Sequence, residues 1–503
     1  MDISSDNILL VGSLLLFTSI LASKPSTRLG IPILLLFLII GMLFGIDGLG
    51  INFSSPSSAQ LIGNAALIII LFSGGMDTVY SEIKKVMIPG ILLSTFGVLI
   101  TALITGVFIF YLLKGNSNLT HFTFLEALLL ASVMSSTDSA SVFGILRGKN
   151  IQIKQKIKSL LEFESGSNDP MAYILVILLI QVITTDTSVS YFSILLDFSM
   201  QLVIGLLAGG LGGYLVVKLM NKIDLSNHSL YAVLLLSCAF MIYAFTNMIY
   251  GNGFLAVYIA GLFIGNKKFI HKKSISNFVD GLAWLFQIIM FLTLGLLVNP
   301  HDMFKYTIIS VVIGLFLIFI GRPAAVFLCM GLNKSFTIKS KLFVSWVGLK
   351  GAVPIIFATY PLTAKLDVAN EIFNIVFFIT LISLLLQGTS IPFVAKKLGL
   401  ESSSESSLNA FNMEFPDEYK NAMMEVELTE EHLRSGSLLM NIPLHDKTLA
   451  VMVKRKDKFI IPKGKTELKP GDKILLISDN ESELNATKRM LGIKLDNGND
   501  DNK

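Results

Sequence analysis

Apolar runs of roughly 17–28 residues, separated by short polar loops, succeed one another from the N-terminal region to Leu398. As helices, such runs reach across the ~30 Å hydrocarbon core of a bilayer. Lipid offers the backbone no hydrogen bonds, so spanning segments must be helices or strands of a closed barrel, and runs this long and continuously apolar select helices. Thirteen spans are expected, at 8–22, 30–46, 58–75, 87–113, 123–147, 157–184, 191–219, 228–247, 251–266, 277–298, 303–331, 341–361 and 369–396. Composition agrees. Only 15% of the 503 residues are charged and 53% are hydrophobic, whereas soluble domains carry about 25% charged residues.

Basic residues orient such a chain. With the N-terminus outside, the inner loops and adjoining span ends hold twenty lysines and arginines, among them Lys84, Lys85, Arg147, Lys149, Lys267 and Lys268; the outer loops hold Lys114, Lys305 and Lys365. A miscounted span would invert every later loop and erase this asymmetry, so thirteen spans and a cytoplasmic C-terminus stand together. The net charge of +4 reflects these loop lysines and gives no reason to expect a nucleic-acid partner. Cys238 and Cys329 both lie in apolar runs and imply no disulfide framework. The first run follows Asp2 and Asp6 rather than a basic segment, which argues against a cleaved signal peptide.

Beyond Leu398 the chain turns polar. Residues 399–417 contain the run ESSSESS and read as a linker. Residues 418–495 read as a small α/β unit, with AMMEVEL, LAVMVKR, DKFIIP and DKILLIS as strands. ESELNATKRML reads as its closing helix, with an acidic start and a basic end that suit the helix dipole. Residues 496–503 read as disordered. The expected architecture is an all-α polytopic membrane domain over 1–398, followed by a small α/β cytosolic domain.

Charges deep inside spans are expensive and mark ion pathways or relays. Asp138, Glu164, Asp169, Arg322 and Lys350 are the deep ones. At about 1.5 Å per helical residue, Asp138 and Lys350 lie about 13 Å from the inner ends of their spans, Asp169 about 16 Å and Arg322 about 18 Å. Four spans thus place charge in one layer near the membrane midplane, where the groups can become partners. Span 5 carries Ser135-Ser136-Thr137-Asp138-Ser139-Ala140-Ser141, whose side chains compete for backbone hydrogen bonds and favour a break. Span 6 carries Glu164-Ser165-Gly166-Ser167-Asn168-Asp169-Pro170, where Pro170 frees the Gly166 carbonyl. Span 12 carries Gly348-Leu349-Lys350-Gly351-Ala352-Val353-Pro354, where Pro354 frees the Lys350 carbonyl. Spans 5 and 12 are each fourth in a block of five, 2–6 and 9–13, which is the pattern of an inverted-repeat transporter with two broken helices.

The runs SSTDSASVFGILR, ESGSNDPMA, GRPAAVF and GLKGAVPI, with FLTLGLLVNP in span 10, resemble the monovalent cation:proton antiporter superfamily, and within it the bacterial potassium/proton antiporter branch. The resemblance covers essentially all of 1–398. It implies a homodimer in a bacterial plasma membrane, with spans 5 and 12 crossing in a moving core. It also implies that Thr137, Asp138, Ser165, Asn168 and Asp169 form the ion site, with a monovalent cation and the proton sharing Asp169. Glu164 pairs with Arg322 in that pattern, and Lys350 stands where relatives often carry Arg. The tail resembles the C-terminal half of the RCK module over LRSGSLLMNIPLHDKTLAVMVKRKDKFIIPKGKTELKPGDKILLIS. No Gly-rich phosphate fingerprint follows residue 399, so NAD binding is not carried over.

The expected function is therefore electroneutral exchange of K+, with Na+ as the other candidate, for H+ by alternating access, with no cofactor and no enzymatic activity. At the tail two readings stand: a regulatory nucleotide, a cyclic dinucleotide first and an adenine nucleotide next, or a dimerisation or pH-sensing module with no ligand. Two rival classes fit less well. An RCK-regulated cation channel lacks a TVGYG-like filter, and an intramembrane aspartyl protease using Asp138 and Asp169 lacks its GxGD motif. Glu162 reads as an interfacial pair with Lys158, Asp197 and Asp280 as water-facing residues near span ends, and the six histidines as scattered surface groups.

Overall fold

The computed structural model describes residues 5–29, 32–114, 122–149, 151–185, 191–331, 333–401, 423–433, 436–456 and 458–491. Nearly all of the expected linker, the start of the tail unit at 418–422 and the last residues 496–503 lie outside them. The chain divides into two compact units, 1–402 and 403–503.

The first unit is helical. Its principal helices are α1 (Ser5–Leu29), α2 (Ile33–Phe44), α3 (Pro56–Asp77), α4 (Met87–Lys114), α5 (Phe124–Val133), α6 (Ser139–Gly148), α7 (Gln155–Thr184), α8 (Tyr191–Lys222), α9 (Ser229–Met248), α10 (Gly253–Gly265), α11 (Lys272–Leu297), α12 (Thr307–Met330), α13 (Ile338–Trp346), α14 (Ala352–Thr363) and α15 (Ala369–Leu398). Among the described residues, eight helices (α3, α4, α7, α8, α9, α11, α12 and α15) are long and apolar enough to cross a bilayer. This is a multi-pass membrane protein.

Polar side chains set the helix boundaries. Thr123 and Glu126 form a reciprocal capping box at the start of α5, and Ser55, Asn252 and Thr337 cap α3, α10 and α13. Each satisfies amide groups that no preceding turn can reach, which matters more in lipid than in water. α3 and α10 cross in direct backbone contact: a Cβ at Gly261 would press on the Phe72 carbonyl, so only glycine lets these helices approach.

The element order repeats. A helix containing a π-turn (Leu93–Gly97 in α4, Leu317–Gly321 in α12) precedes a broken helix, which a continuous helix follows. The first break, residues 134–138, separates α5 from α6. The second, residues 347–351, separates α13 from α14. Pro354 sits in the first turn of α14, where backbone N–H groups have no helical acceptor anyway. Pro170 lies inside the uninterrupted 30-residue α7.

The second unit is a four-stranded antiparallel sheet with one helix. β1 (Met423–Glu427), β2 (Thr448–Arg455), β3 (Lys458–Ile460) and β4 (Lys473–Ser478) pair in the order β1-β4-β2-β3, and α16 (Glu481–Met490) follows β4. The four apolar runs of the sequence supply these strands. Met424, Val426, Val453, Ile474, Leu476 and Leu484 form the core. At its edge the Arg455 guanidinium donates to both carboxylate oxygens of Asp472, at 2.8 and 2.7 Å. Burial opposes the Asp472 charge, but the hydrogen bonds from Arg455 and from the Lys469 N–H outweigh it and hold the carboxyl below its usual range.

Candidate functional site

The two breaks meet. The Asp138 N–H donates to the Leu349 carbonyl at 2.9 Å, so each non-helical segment supplies a backbone partner that the other lacks. The Lys350 Nζ donates to the Ser136 carbonyl at 2.8 Å, laying an ammonium against the unwound backbone of the first break. Gly351 makes this crossing possible, because a Cβ there would run into the Asp138 carboxylate.

Asp138 ends the first break as the N-cap of α6. Its Oδ1 accepts from the Ser141 N–H at 3.0 Å, and its Oδ2 accepts from the Ser141 hydroxyl. The carboxylate therefore stands at the positive end of a helix, as an anion should. α7 runs beside the break and pins it. The Ser165 hydroxyl donates to the Thr137 carbonyl at 2.8 Å and accepts from the Ser139 N–H at 3.0 Å. Asn168 Nδ2 donates to Thr137 Oγ1 at 2.6 Å.

Asn168 and Asp169 are buried, yet Asn168 Oδ1 and Asp169 Oδ1 have no hydrogen-bond partner among the described residues. Orphaned acceptors in a low-dielectric interior are costly unless something cationic or protic visits them. A dehydrated monovalent cation or a proton meets that need.

One turn before Asp169 on the same helix, Glu164 Oε1 lies 2.5 Å from Arg322 Nη2, with both side chains almost fully buried. Lys350 is near enough to Arg322, Glu164 and Asp169 for their charges to interact. Asp138, Asp169, Arg322 and Lys350, placed at about one depth by the sequence, form one cluster together with Glu164. Lys158 and Glu162, one turn apart on α7, lie 3.7 Å apart and partly exposed.

The surroundings are asymmetric. A cavity of about 570 Å³ lies among α2, α3, α6 and α11 and reaches Ser141 from the Arg147–Lys149 end of α6. It is lined by Asp77 and Asp280, and Asp280 Oδ1 accepts from the Ser73 hydroxyl at 2.5 Å. α11 begins at Lys272, so Asp280 lies two turns from the start of its helix, facing this cavity. One turn beyond Asp169 the environment is aromatic. Tyr173 meets Phe254 at 4.9 Å and Tyr360 at 5.6 Å, and Tyr360 donates to Asn64 Oδ1 at 2.9 Å.

Several participants were invisible in the sequence. Asn252 caps α10 and donates from Nδ2 to the Pro170 carbonyl at 2.8 Å; its only signal is a buried carboxamide beside Gly251 and Gly253. Ser383 and Gln387, four apart in an otherwise apolar run, hold the second break. His228 and His271, far apart in the chain, have ring centroids 4.2 Å apart and are not scattered singly.

Known proteins resemble this arrangement. The transmembrane sodium/hydrogen exchanger family matches residues 13–397. The K(+)/H(+) antiporter NhaP2 of Shewanella baltica is 38% identical over 494 residues, 97% of this chain and 84% of that relative. The K(+)/H(+) antiporter NhaP of Alkalimonas amylolytica is 44% identical over 400 residues, 79% of this chain and 68% of that relative. The sodium proton antiporter MjNhaP1 of Methanocaldococcus jannaschii, solved at pH 8, superposes with a TM-score of 0.67 at 25% identity, covering 78% of this chain and 99% of its own. These relatives are antiporters, transporters rather than enzymes. With two broken helices crossing at a buried carboxylate cluster, the chain belongs to the sodium/hydrogen exchanger family.

Proposed function

We propose that this protein exchanges one K+ for one H+ across a bacterial plasma membrane by alternating access, with Asp169 as the shared site. The observation that carries the reading is the pair of buried, unpartnered acceptors Asn168 Oδ1 and Asp169 Oδ1 beside the crossing of the two breaks. A carboxylate in a low-dielectric cavity that water can reach lets a proton and a dehydrated cation compete for the same oxygens. Either one neutralises the site and lets the core move, whereas the empty, charged site is costly to carry. Asn168, Ser165 and Thr137 shape the site, and Asp138 presents a second carboxylate at the head of α6. Glu164 is held by Arg322 and Asn168 cannot ionise, so Asp169 alone cycles and the exchange is electroneutral.

K+ as the principal cation, ahead of Na+, follows the names of the relatives at 38–44% identity. The cavity on the Arg147–Lys149 side and the aromatic layer beyond Asp169 suit a conformation open to the cytoplasm, with thirteen crossings, the N-terminus outside and the C-terminus inside. The working unit is a homodimer. The tail, 418–495, acts as an RCK-C-like regulatory domain whose ligand is a nucleotide, a cyclic dinucleotide before an adenine nucleotide.

The test is exchange by reconstituted protein against K+, Na+, Rb+ and Li+ in turn, with and without a valinomycin-clamped potential. Cation-dependent dissipation of a pH gradient, largest for K+ and indifferent to voltage, is expected. It should vanish in Asp169→Asn, whose amide neither releases a proton nor balances a cation. Transport by Asp169→Asn at the wild-type rate rejects the site, and strong acceleration by voltage of one sign rejects electroneutrality.

A further inference from the structure

The second break is held open by a bracket on α15 that mirrors the grip of α7 on the first. The Lys350 N–H donates to the Ser383 hydroxyl oxygen at 2.8 Å. The Ser383 hydroxyl donates to Gln387 Oε1 at 2.6 Å, and Gln387 Nε2 donates to the Trp346 carbonyl at 2.7 Å. One chain of three hydrogen bonds thus ties the last residue of α13 to Lys350, spanning the break. Trp346 Nε1 also donates to Ser390 Oγ at 3.0 Å. Ser383 and Gln387 are fully buried and lie where α15 enters its π-turn, Leu384–Gly388. An amide and a carbonyl freed by a break in a membrane interior are expensive unless paired, so the bracket fixes the backbone conformation of 347–351.

The parallel with the first break is close. There Ser165 and Asn168 of α7 grip Thr137 and Ser139. In both repeats a serine and a carboxamide one turn further along the continuous helix hold the unwound residues. In the first repeat the next residue is Asp169. In the second, the bracket acts on Lys350, whose ammonium reaches the Ser136 carbonyl of the first break and whose charge acts on Asp169.

We infer that Ser383 and Gln387 are positioning residues for ion exchange: they fix the second break so that Lys350 sits against the first break at the depth of Asp169. Neither touches the cation. Their effect passes through the Lys350 backbone, so disturbing them changes how proton and cation compete at Asp169, not only how well the protein folds. The inference rests on the assignment of Asp169 as the exchange site.

The experiment compares wild type, Asp169→Asn, Ser383→Ala, Ser383→Thr and Gln387→Met in liposomes, reading the half-saturating K+ concentration and the pH of half-maximal exchange. Ser383→Ala deletes one oxygen, and Gln387→Met keeps length without hydrogen bonds. Both are expected to raise the half-saturating K+ concentration about three- to tenfold and to move the pH profile, while Ser383→Thr, which keeps the hydroxyl, stays nearer to wild type. Wild-type half-saturation and pH profile in both Ser383→Ala and Gln387→Met overturn the inference. A fall in maximal rate alone, with neither parameter moved, also overturns it, since that marks a merely structural bracket. If Gln387→Met does not fold, the Ser383 pair decides. Asp169→Asn keeps the two questions apart: exchange by that variant defeats the site assignment, whereas a silent Asp169→Asn beside unmoved Ser383→Ala and Gln387→Met defeats only the bracket.

Discussion

The two breaks are built alike and charged oppositely. Each unwinds about five residues of a membrane helix, each is gripped by a serine and a carboxamide from the continuous helix that follows, and the two share one backbone hydrogen bond, from the Asp138 N–H to the Leu349 carbonyl. The first carries Asp138 and lies against Asp169; the second carries Lys350 and lies against neutral Ser383 and Gln387. The acidic half has acceptors to spare, Asn168 Oδ1 and Asp169 Oδ1. In the basic half, the ammonium, Ser383 hydroxyl and Gln387 carboxamide all have partners. Orphaned acceptors call for a visiting cation, whereas a satisfied network resists change. In the proposed exchange, one half binds and the other holds.

That division can be broken at several places. The largest effect should come from Arg322→Ala. It leaves Glu164 buried and unpaired at a cost of about 3–5 kcal/mol, and the expected result is a loss of yield and melting temperature before any transport phenotype. A stable Arg322→Ala protein of normal yield would mean that the pair is not structural.

Gly351→Ala comes next. Its methyl group collides with the Asp138 carboxylate, forcing the two breaks apart, and exchange should fall at least tenfold while the elution volume on size-exclusion chromatography stays that of wild type. Near-normal transport would show that the crossing tolerates separation.

Lys350→Met should be milder than any change at Asp169. The variant should still exchange, with an altered pH profile and a weaker apparent cation affinity, because it removes a neighbour of the site rather than the site. A complete loss equal to that of Asp169→Asn would erase the distinction between the halves.

How much of this could be read from the sequence differs between the halves. The charges were legible because charge in an apolar run is rare: Asp138, Glu164, Asp169, Arg322 and Lys350 stand out, and a depth count puts all but Glu164 in one layer. The breaks were legible from clustered Ser, Thr, Gly and Pro. The brackets were not. Ser383 and Gln387 carry no charge, and an isolated hydroxyl or carboxamide in a membrane helix usually bonds to its own helix. Asn252 was missed because a lone carboxamide at the start of a helix gives no sign of the carbonyl it meets on another helix. The helical segments follow the apolar runs closely, while the long-range hydrogen bonds depend on crossings that no run length encodes.

The smallest expected effects lie away from both breaks. Asp280→Asn removes one charge from the cavity wall and should raise the half-saturating cation concentration about twofold, more at low ionic strength, where screening is weak. No salt dependence would separate the cavity from the site. In the tail, Arg455→Ala should lower stability by about 1.5–3 kcal/mol and leave both breaks untouched. Because the folded Asp472 carboxyl titrates below its unfolded value, the stability it contributes is complete above about pH 4 and fades as pH falls through the folded value. Thermal melts should show wild type and Arg455→Ala converging on acidification; a gap that widens would reverse the sign.

The central claim is that one carboxylate serves both ions. Proton release on adding K+ to the purified, weakly buffered protein measures this without a membrane potential or a rate-limiting conformational step. Wild type should release close to one proton per protomer as K+ saturates, Lys350→Met should do so at higher K+, and Asp169→Asn should release none. Undiminished proton release by Asp169→Asn would contradict the account.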